Sequence, residues 1–394
     1  LSLQIPEFIK EETRKRCKIV AFDQSIAGRF IQINPESFHL LYDTNKLSFA
    51  LYVQIQDILI EFIKVGEFSH QLLEHMKLAL LSEFNVQLMI AKAHREEYDK
   101  LILDLRNQRI SQLAQKDGGL DQKTLTAFST LSNASQLIVR GGISDDVINQ
   151  AKSSTSFLVN NIMGNDMTLS TMSRMVLHDP TLYDHSASVA MISATIALQC
   201  MPTPMSKKES ELVAQCGLFH DIGKTCIPSS ILNKPGKFTD EEFAIMKSHA
   251  ELGEKEIDKI VSSGARVDSI VARVAGEHHE RFGGKGYPRG RKGRFEEDKV
   301  NGIHLYSRIV TVADVYSALL MKRVYKPAYE AQDAVKIMAG VAKDEYDPVV
   351  FKGFLVSVVK SLNLYQAKMH GKDKGRILSF DDDGKLNETR KLAI

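Results

Sequence analysis

The chain has 394 residues, 43% hydrophobic and 25% charged, with a formal net charge of +2. That length supports two or three domains with real cores, the composition is ordinary for a soluble protein, and so small a charge gives no reason to expect a nucleic-acid partner, so none is expected. Scattered Cys17, Cys200, Cys216 and Cys226, the lack of a signal-peptide plan and the lack of an apolar run near the roughly 20 residues of a membrane span point to a cytoplasmic protein with no membrane partner.

In chain order, Leu51, Val53 and Ile55 alternate with Tyr52, Gln54 and Gln56. A turn near Asp57 leads to Ile58, Ile60 and Phe62, so this stretch reads as a hairpin. Ser69 is placed to cap a helix reaching about Ser82, and Val86, Leu88 and Ile90 alternate as a third strand. The expected unit over residues 1–95 is a small α+β (ββαβ) accessory or regulatory domain. It offers no metal cluster, glycine-rich phosphate loop or catalytic dyad. Residues 96–175 read as a helical linker, turned at Asp117-Gly118-Gly119 and Arg140-Gly141-Gly142.

Residues 176–365 read as an all-α bundle, so the fold class is mainly α. Thr239 and Glu242 form a capping box expected to open the helix that carries His249. A helix from about His304 to Met321 carries Asp314, with Leu305, Ile309, Val312, Tyr316 and Leu319 at helical spacing. Residues 366–394 are a polar tail in which Arg376–Phe380 and Lys385-Leu386 flank a turn, a short hairpin.

Seven of the twelve histidines lie between His178 and His304. His278 ends an inward row with Val267, Ile270, Val271 and Val274, and His185 heads one with Val189, Ile192 and Ile196. Any one of them alone reads better as a hydrogen-bonded core histidine. Together with His220-Asp221 and His278-His279 they point to metal. A neighbouring imidazole and carboxylate offer two ligands from one point, and the carboxylate can bridge two cations. Such nitrogen and oxygen donors suit iron, manganese or zinc better than calcium. Two bridged ions would activate water and clamp a phosphoryl oxygen, so metal-assisted phosphoester hydrolysis is the leading expectation.

The ordered motifs extend this reading. His220-Asp221-Ile222-Gly223-Lys224 leads through Ile227-Pro228 and Ile231-Leu232-Asn233-Lys234-Pro235-Gly236 to Thr239–Phe243, Met246-Lys247 and His249. Later come His278-His279-Glu280, Gly284–Pro288, Ala313-Asp314-Val315-Tyr316 and Arg323–Ala328. Over about residues 171–365 the chain resembles an HD-GYP domain, the branch of the HD phosphohydrolases that cleaves cyclic di-GMP.

The resemblance implies one metal held by His185, His220, Asp221 and Asp314, and a second by Asp221, His249, His278 and His279. Thr181 stands where some members carry a glutamate for a third ion, so two divalent transition metals are expected: iron or manganese, with zinc or nickel as alternatives. Lys224 would sit by the scissile phosphate, with Asp221 and Asp179 completing the catalytic group and Asp179 helping to protonate the leaving oxygen. Arg323, Lys326, Tyr287 and Gly286 would hold the dinucleotide. The Gly286-Tyr287-Pro288 loop would also meet a diguanylate cyclase or another signalling protein, and the chain would form a homodimer.

The expected reaction is hydrolysis of cyclic di-GMP to pGpG and/or GMP through attack of a metal-bridging hydroxide. Three departures stand out: Gly283 replaces the usual Asp and is expected to loosen its loop, Ser317 replaces an acid, and Val324 replaces a proline. Gly283 and Ser317 keep open a slow or inactive nucleotide-binding regulator. A hydrolase of another cyclic dinucleotide is the other alternative. The six basic residues from Arg281 to Arg294 are expected to form a positive rim.

Overall fold

The computed structural model describes residues 18–33, 40–67, 71, 73–74, 86–141, 143–178, 184–232, 234, 237–321, 329–370, 376–380 and 386–390. The chain divides into two compact units, Leu1–Arg109 and Ile110–Ile394.

The first unit is built on an antiparallel sheet of β1 (Ile19–Ala21), β2 (Phe30–Gln32), β3 (Leu51–Ile55), β4 (Ile58–Ile63) and β5 (Val86–Ala91), in the order β1-β4-β3-β5-β2. The expected hairpin is β3–β4, joined through Gln56 and Asp57 with Ile55 opposite Ile58 and Gln56 at φ 51°. Alternation does what it should: Leu51, Val53 and Ile55 are buried, while Tyr52 and Gln54 are half-buried. The sheet has five strands rather than the three read from sequence. The additional pair, β1 and β2, are edge strands of three residues each, too short for a period of two to register. Most of the helix expected from Ser69 to Ser82 falls outside the described residues; Gln71, Leu73 and Glu74 within it are helical.

The division between the units falls within helix α1 (Arg95–Lys116). In the second unit α2 (Gln122–Gly141), α3 (Asp145–Ile162) and α4 (Thr168–His178) precede α5 (His185–Thr195) and α6 (Lys207–Phe219). Helices α2 to α4 pack on α5 and α6, so most of the stretch read as a linker is part of this unit's bundle. Every residue of α5 from Ala187 to Thr195 is buried, as a central helix requires. Then follow α7 (Asp240–Lys247), α8 (His249–Ser262), α9 (Ser269–Glu277), α10 (Leu305–Leu320), α11 (Ala331–Glu345) and α12 (Pro348–His370).

Side-chain caps set the helix starts. Asp184 accepts from the Ala187 amide, Ser206–Glu209 and the expected Thr239–Glu242 form capping boxes, and Asp268 and His304 cap α9 and α10. Among the described residues one helix, over Pro348–Met369, is long and apolar enough to cross a membrane by length and composition. This qualifies the reading that no such run exists. Its Val350, Phe351, Phe354 and Val358 are buried within the bundle. Arg376–Phe380 and Leu386–Arg390 pair as the expected antiparallel hairpin.

Candidate metal centre

The clustered side chains come from helix ends. His185 is the first residue of α5, His220 caps the end of α6, His249 opens α8, and His278 caps the end of α9 with His279 next. Asp314 projects from the body of α10. Asp221 leads into a tight turn, Ile222–Cys226, that lies on α8. The approach is so close that a Cβ on Gly223 would stand 1.9 Å from the His249 carbonyl oxygen. Glycine there lets the Asp221 turn reach His249.

Two groups result: His185, His220 and Asp314, and Asp221, His249, His278 and His279, each with candidate ligand atoms within 4.8 Å of one another. Asp221 faces both. Its Oδ1 is 3.3 Å from His249 Nε2 and 3.8 Å from His278 Nε2. Its Oδ2 is 3.3 Å from His220 Nε2 and 3.8 Å from His185 Nε2. Asp314 Oδ1 lies 3.1 Å from His185 Nε2, and Oδ2 lies 3.9 Å from His279 Nδ1. The structure thus brings together all seven residues that the sequence reading named as ligands.

Hydrogen bonds decide which nitrogens are free to bind. His220, His249 and His278 place Nδ1 at 2.7, 2.6 and 2.8 Å from the carbonyls of Gly217, Met246 and Ala275, each three residues earlier. Each Nδ1 donates, which leaves a lone pair on each Nε2 when the ring is neutral. Burial pushes His249 and His278 below the usual imidazole range, and it pushes His279 down to about 3. His249 Nε2 stands 3.3 Å from His278 Nε2 and 3.1 Å from His279 Nε2. Among the described residues, buried Nε2 of His220 and Oδ1 of Asp221 lack hydrogen-bond partners.

Burial opposes the charge of both carboxylates. For Asp221, Lys224, His220 and His249 outweigh it and hold the acid well below its usual range. For Asp314, the His185 bond and the neighbouring histidines do the same. Converging lone pairs and buried anions fit divalent cations with mixed nitrogen and oxygen ligands.

Lys224 Nζ donates to Asp221 Oδ2 at 2.5 Å. The Tyr287 ring lies on His279 with centroids 4.6 Å apart, and burial raises its hydroxyl above the ordinary phenol value. Lys247 Nζ stands 5.0 Å from the Phe243 ring centroid and 6.0 Å from that of Tyr287. Gly286 is packed against backbone: a Cβ there would be 2.3 Å from the Arg281 nitrogen. Asp179, Thr181, Arg323, Val324 and Lys326 lie outside the described residues.

Two expectations about the loop are corrected. Gly283 does not loosen it. The Gly283 amide donates to the Asp344 carbonyl at 2.8 Å, and a Cβ would stand 3.0 Å from that oxygen, so the segment is pinned. Nor is the loop an open positive rim. Arg281 pairs with Glu345, Arg289 with Glu254, Arg291 with Glu277, and Arg294 with Asp347 and Glu297. Lys285 lies 3.8 Å from Asp344. Buried Glu280 accepts from the Arg289 and Arg291 amides, both at 2.8 Å. Sequence reasoning missed Glu254, Glu345 and Asp347 because ties across more than thirty residues leave no local pattern.

Residues 170–350 match the HD-domain family model. A cyclic di-GMP phosphodiesterase of Pseudomonas aeruginosa is 33% identical over 198 residues, covering 50% of this chain and 43% of that protein. The cyclic di-GMP phosphodiesterase response regulator RpfG of Xanthomonas campestris is 35% identical over 163 residues, 41% of this chain and 40% of that one. A 3'3'-cGAMP-specific phosphodiesterase of Vibrio cholerae is 34% identical over 201 residues, 50% and 39% of the two chains. The chain thus spans less than half the length of these curated relatives. A solved HDG"Y"P protein from Bdellovibrio bacteriovorus superposes with a TM-score of 0.53 at 20% identity, covering 82% of this chain and 98% of that one, a likeness of fold. The match to an HD domain over residues 170–350 implies divalent-metal binding, and the two groups of histidine and aspartate could hold such ions. The motif order resembles that of the HD-GYP branch, and the relatives matched are named as cyclic-dinucleotide phosphodiesterases.

Proposed function

We propose that this chain hydrolyses cyclic di-GMP to linear pGpG and on to GMP. The observation that carries the reading is Asp221, whose two oxygens face the two ligand groups separately. His185, His220 and Asp314 would hold one ion and His249, His278 and His279 the other, with Asp221 shared and iron or manganese as the native metals. Bound there, the metals would supply an acidified water and positive charge for the phosphoryl oxygens. A water oxygen bonds to phosphorus, the P–O3′ bond breaks, and the 3′ oxygen takes a proton, leaving a 5′-phosphate on the linear product.

The chain's own groups have defined tasks in this scheme. Lys224, already on Asp221, neutralises charge that builds on the reacting phosphate. Asp179 delivers the proton to the 3′ oxygen. Arg323 and Lys326 hold phosphate or guanine, a planar fork beside a point charge. Tyr287 closes one side of the cluster as a neutral donor. The enzyme would work as a cytoplasmic homodimer whose Gly286-Tyr287-Pro288 loop meets a diguanylate cyclase.

A second reading, hydrolysis of a hybrid cyclic dinucleotide, is favoured by the cGAMP-specific relatives. The slow-regulator reading loses its motive at Gly283, which packs against Asp344. The test is metal-replete protein incubated separately with cyclic di-GMP and 3'3'-cGAMP, with products separated and metal counted. Conversion of cyclic di-GMP to pGpG supports the proposal. Cleavage of cGAMP alone selects the second reading, and inertness toward both with full metal overturns both.

A further inference from the structure

The four histidines of the two groups that stand at helix ends are not held alike. His220, His249 and His278 each rest Nδ1 on a carbonyl three residues earlier in their own segment. His185 differs, although like His249 it is the first residue of its helix. Its Nδ1 instead meets the hydroxyl of Ser317 at 2.9 Å. Ser317 is fully buried on α10, one turn beyond Asp314, whose Oδ1 lies 3.1 Å from the Nε2 of the same imidazole. Helix α10 therefore grips both nitrogens of His185 through residues three apart on one face.

We propose that Ser317 is a positioning residue for metal binding: it accepts the Nδ1 proton of His185 and aims Nε2 into the group with His220 and Asp314. This inference rests on the two-metal reading of the centre but not on the identity of the substrate. It makes one ion site depend on a side-chain hydroxyl, while the other leans on backbone carbonyls. Partners behind a ligating imidazole typically govern metal affinity by about 10- to 100-fold. Loss of this one should fall on a single ion.

The test is titration of the metal-free full chain with Co²⁺, followed by calorimetry and visible absorption, for the parent, Ser317→Ala and Ser317→Thr. Expected for Ser317→Ala is one ion weakened about 10- to 100-fold with a changed absorption band, and the second ion unaffected. Ser317→Thr keeps a hydroxyl and should recover most of the lost affinity. Thermal unfolding of the metal-free proteins separates this from simple loosening, because loosening would track stability rather than the hydroxyl. Equal affinity for both ions in Ser317→Ala, equal weakening of both, or failure of threonine to restore binding would overturn the proposal. A parent that takes up no Co²⁺ would instead overturn the metal reading itself. Activity toward any nucleotide enters neither result.

Discussion

Asp221 and Gly283 illustrate how differently single residues can be read. Asp221 was legible because a carboxylate beside His220, with more histidines downstream, has few uses other than metal. Its position between the groups predicts that Asp221→Ala loses both ions, and elemental analysis of the purified variant checks this. Retention of one full equivalent would show that the groups do not share it. Gly283 was misread, because a glycine pair suggests freedom when the neighbour across space is unknown. That neighbour is Asp344. Gly283→Asp would set a second carboxylate beside it and crowd the backbone. The expected outcome is a loss of roughly 0.5–3 kcal/mol of stability in urea denaturation, with no gain in activity. Ser317 lay between these cases: its difference from the family was visible in sequence, but its partner His185 was not.

At the scale of elements, capping boxes and inward rows located most helices of the second unit, since both signals are local. Strands β1 and β2 left no such signal. Nor did the ties of the loop between His279 and His304, which depend on Glu277, Glu280 and Asp347. Buried Asp347 accepts from Arg308 at 2.5 Å and Arg294 at 3.1 Å, and caps α12 through the Val349 amide at 2.8 Å. Burial raises its pKa less than the two arginines lower it, so the folded pKa lies below 3.8. A depressed carboxylate contributes stability above its unfolded value and loses it as pH falls through the folded one. Asp347→Asn should therefore cost about 1.5–3 kcal/mol near neutrality, because buried Arg308 keeps only Glu296, which is half-exposed, as a counter-charge. The gap between parent and variant should narrow as pH falls below about 4. Urea midpoints measured from pH 7 to pH 3 check this, and a gap that stays constant would show that the charge is not what matters.

The whole molecule divides into two compact units, and the ligand groups lie in the second. Anything that binds the folded form adds stability, about 2.7 kcal/mol for each ion at a hundred times its dissociation constant. Scanning calorimetry is expected to show two transitions, with the second unit's midpoint rising by several degrees on metal addition. A chelator should reverse that shift and leave the first unit's transition in place. Equal displacement of both transitions would mean that the units unfold together.

His185, His220, His249 and His278 all stand at helix termini, where backbone groups lack intrahelical partners and the last turn frays. Ions held there would act on the motion of four helices at their loosest points. The amides best slowed in hydrogen exchange should then be those of the opening turns of α5 and α8 and the closing turns of α6 and α9, while mid-helix amides change little. Residues nearly a hundred positions apart in sequence would quieten together as metal is added.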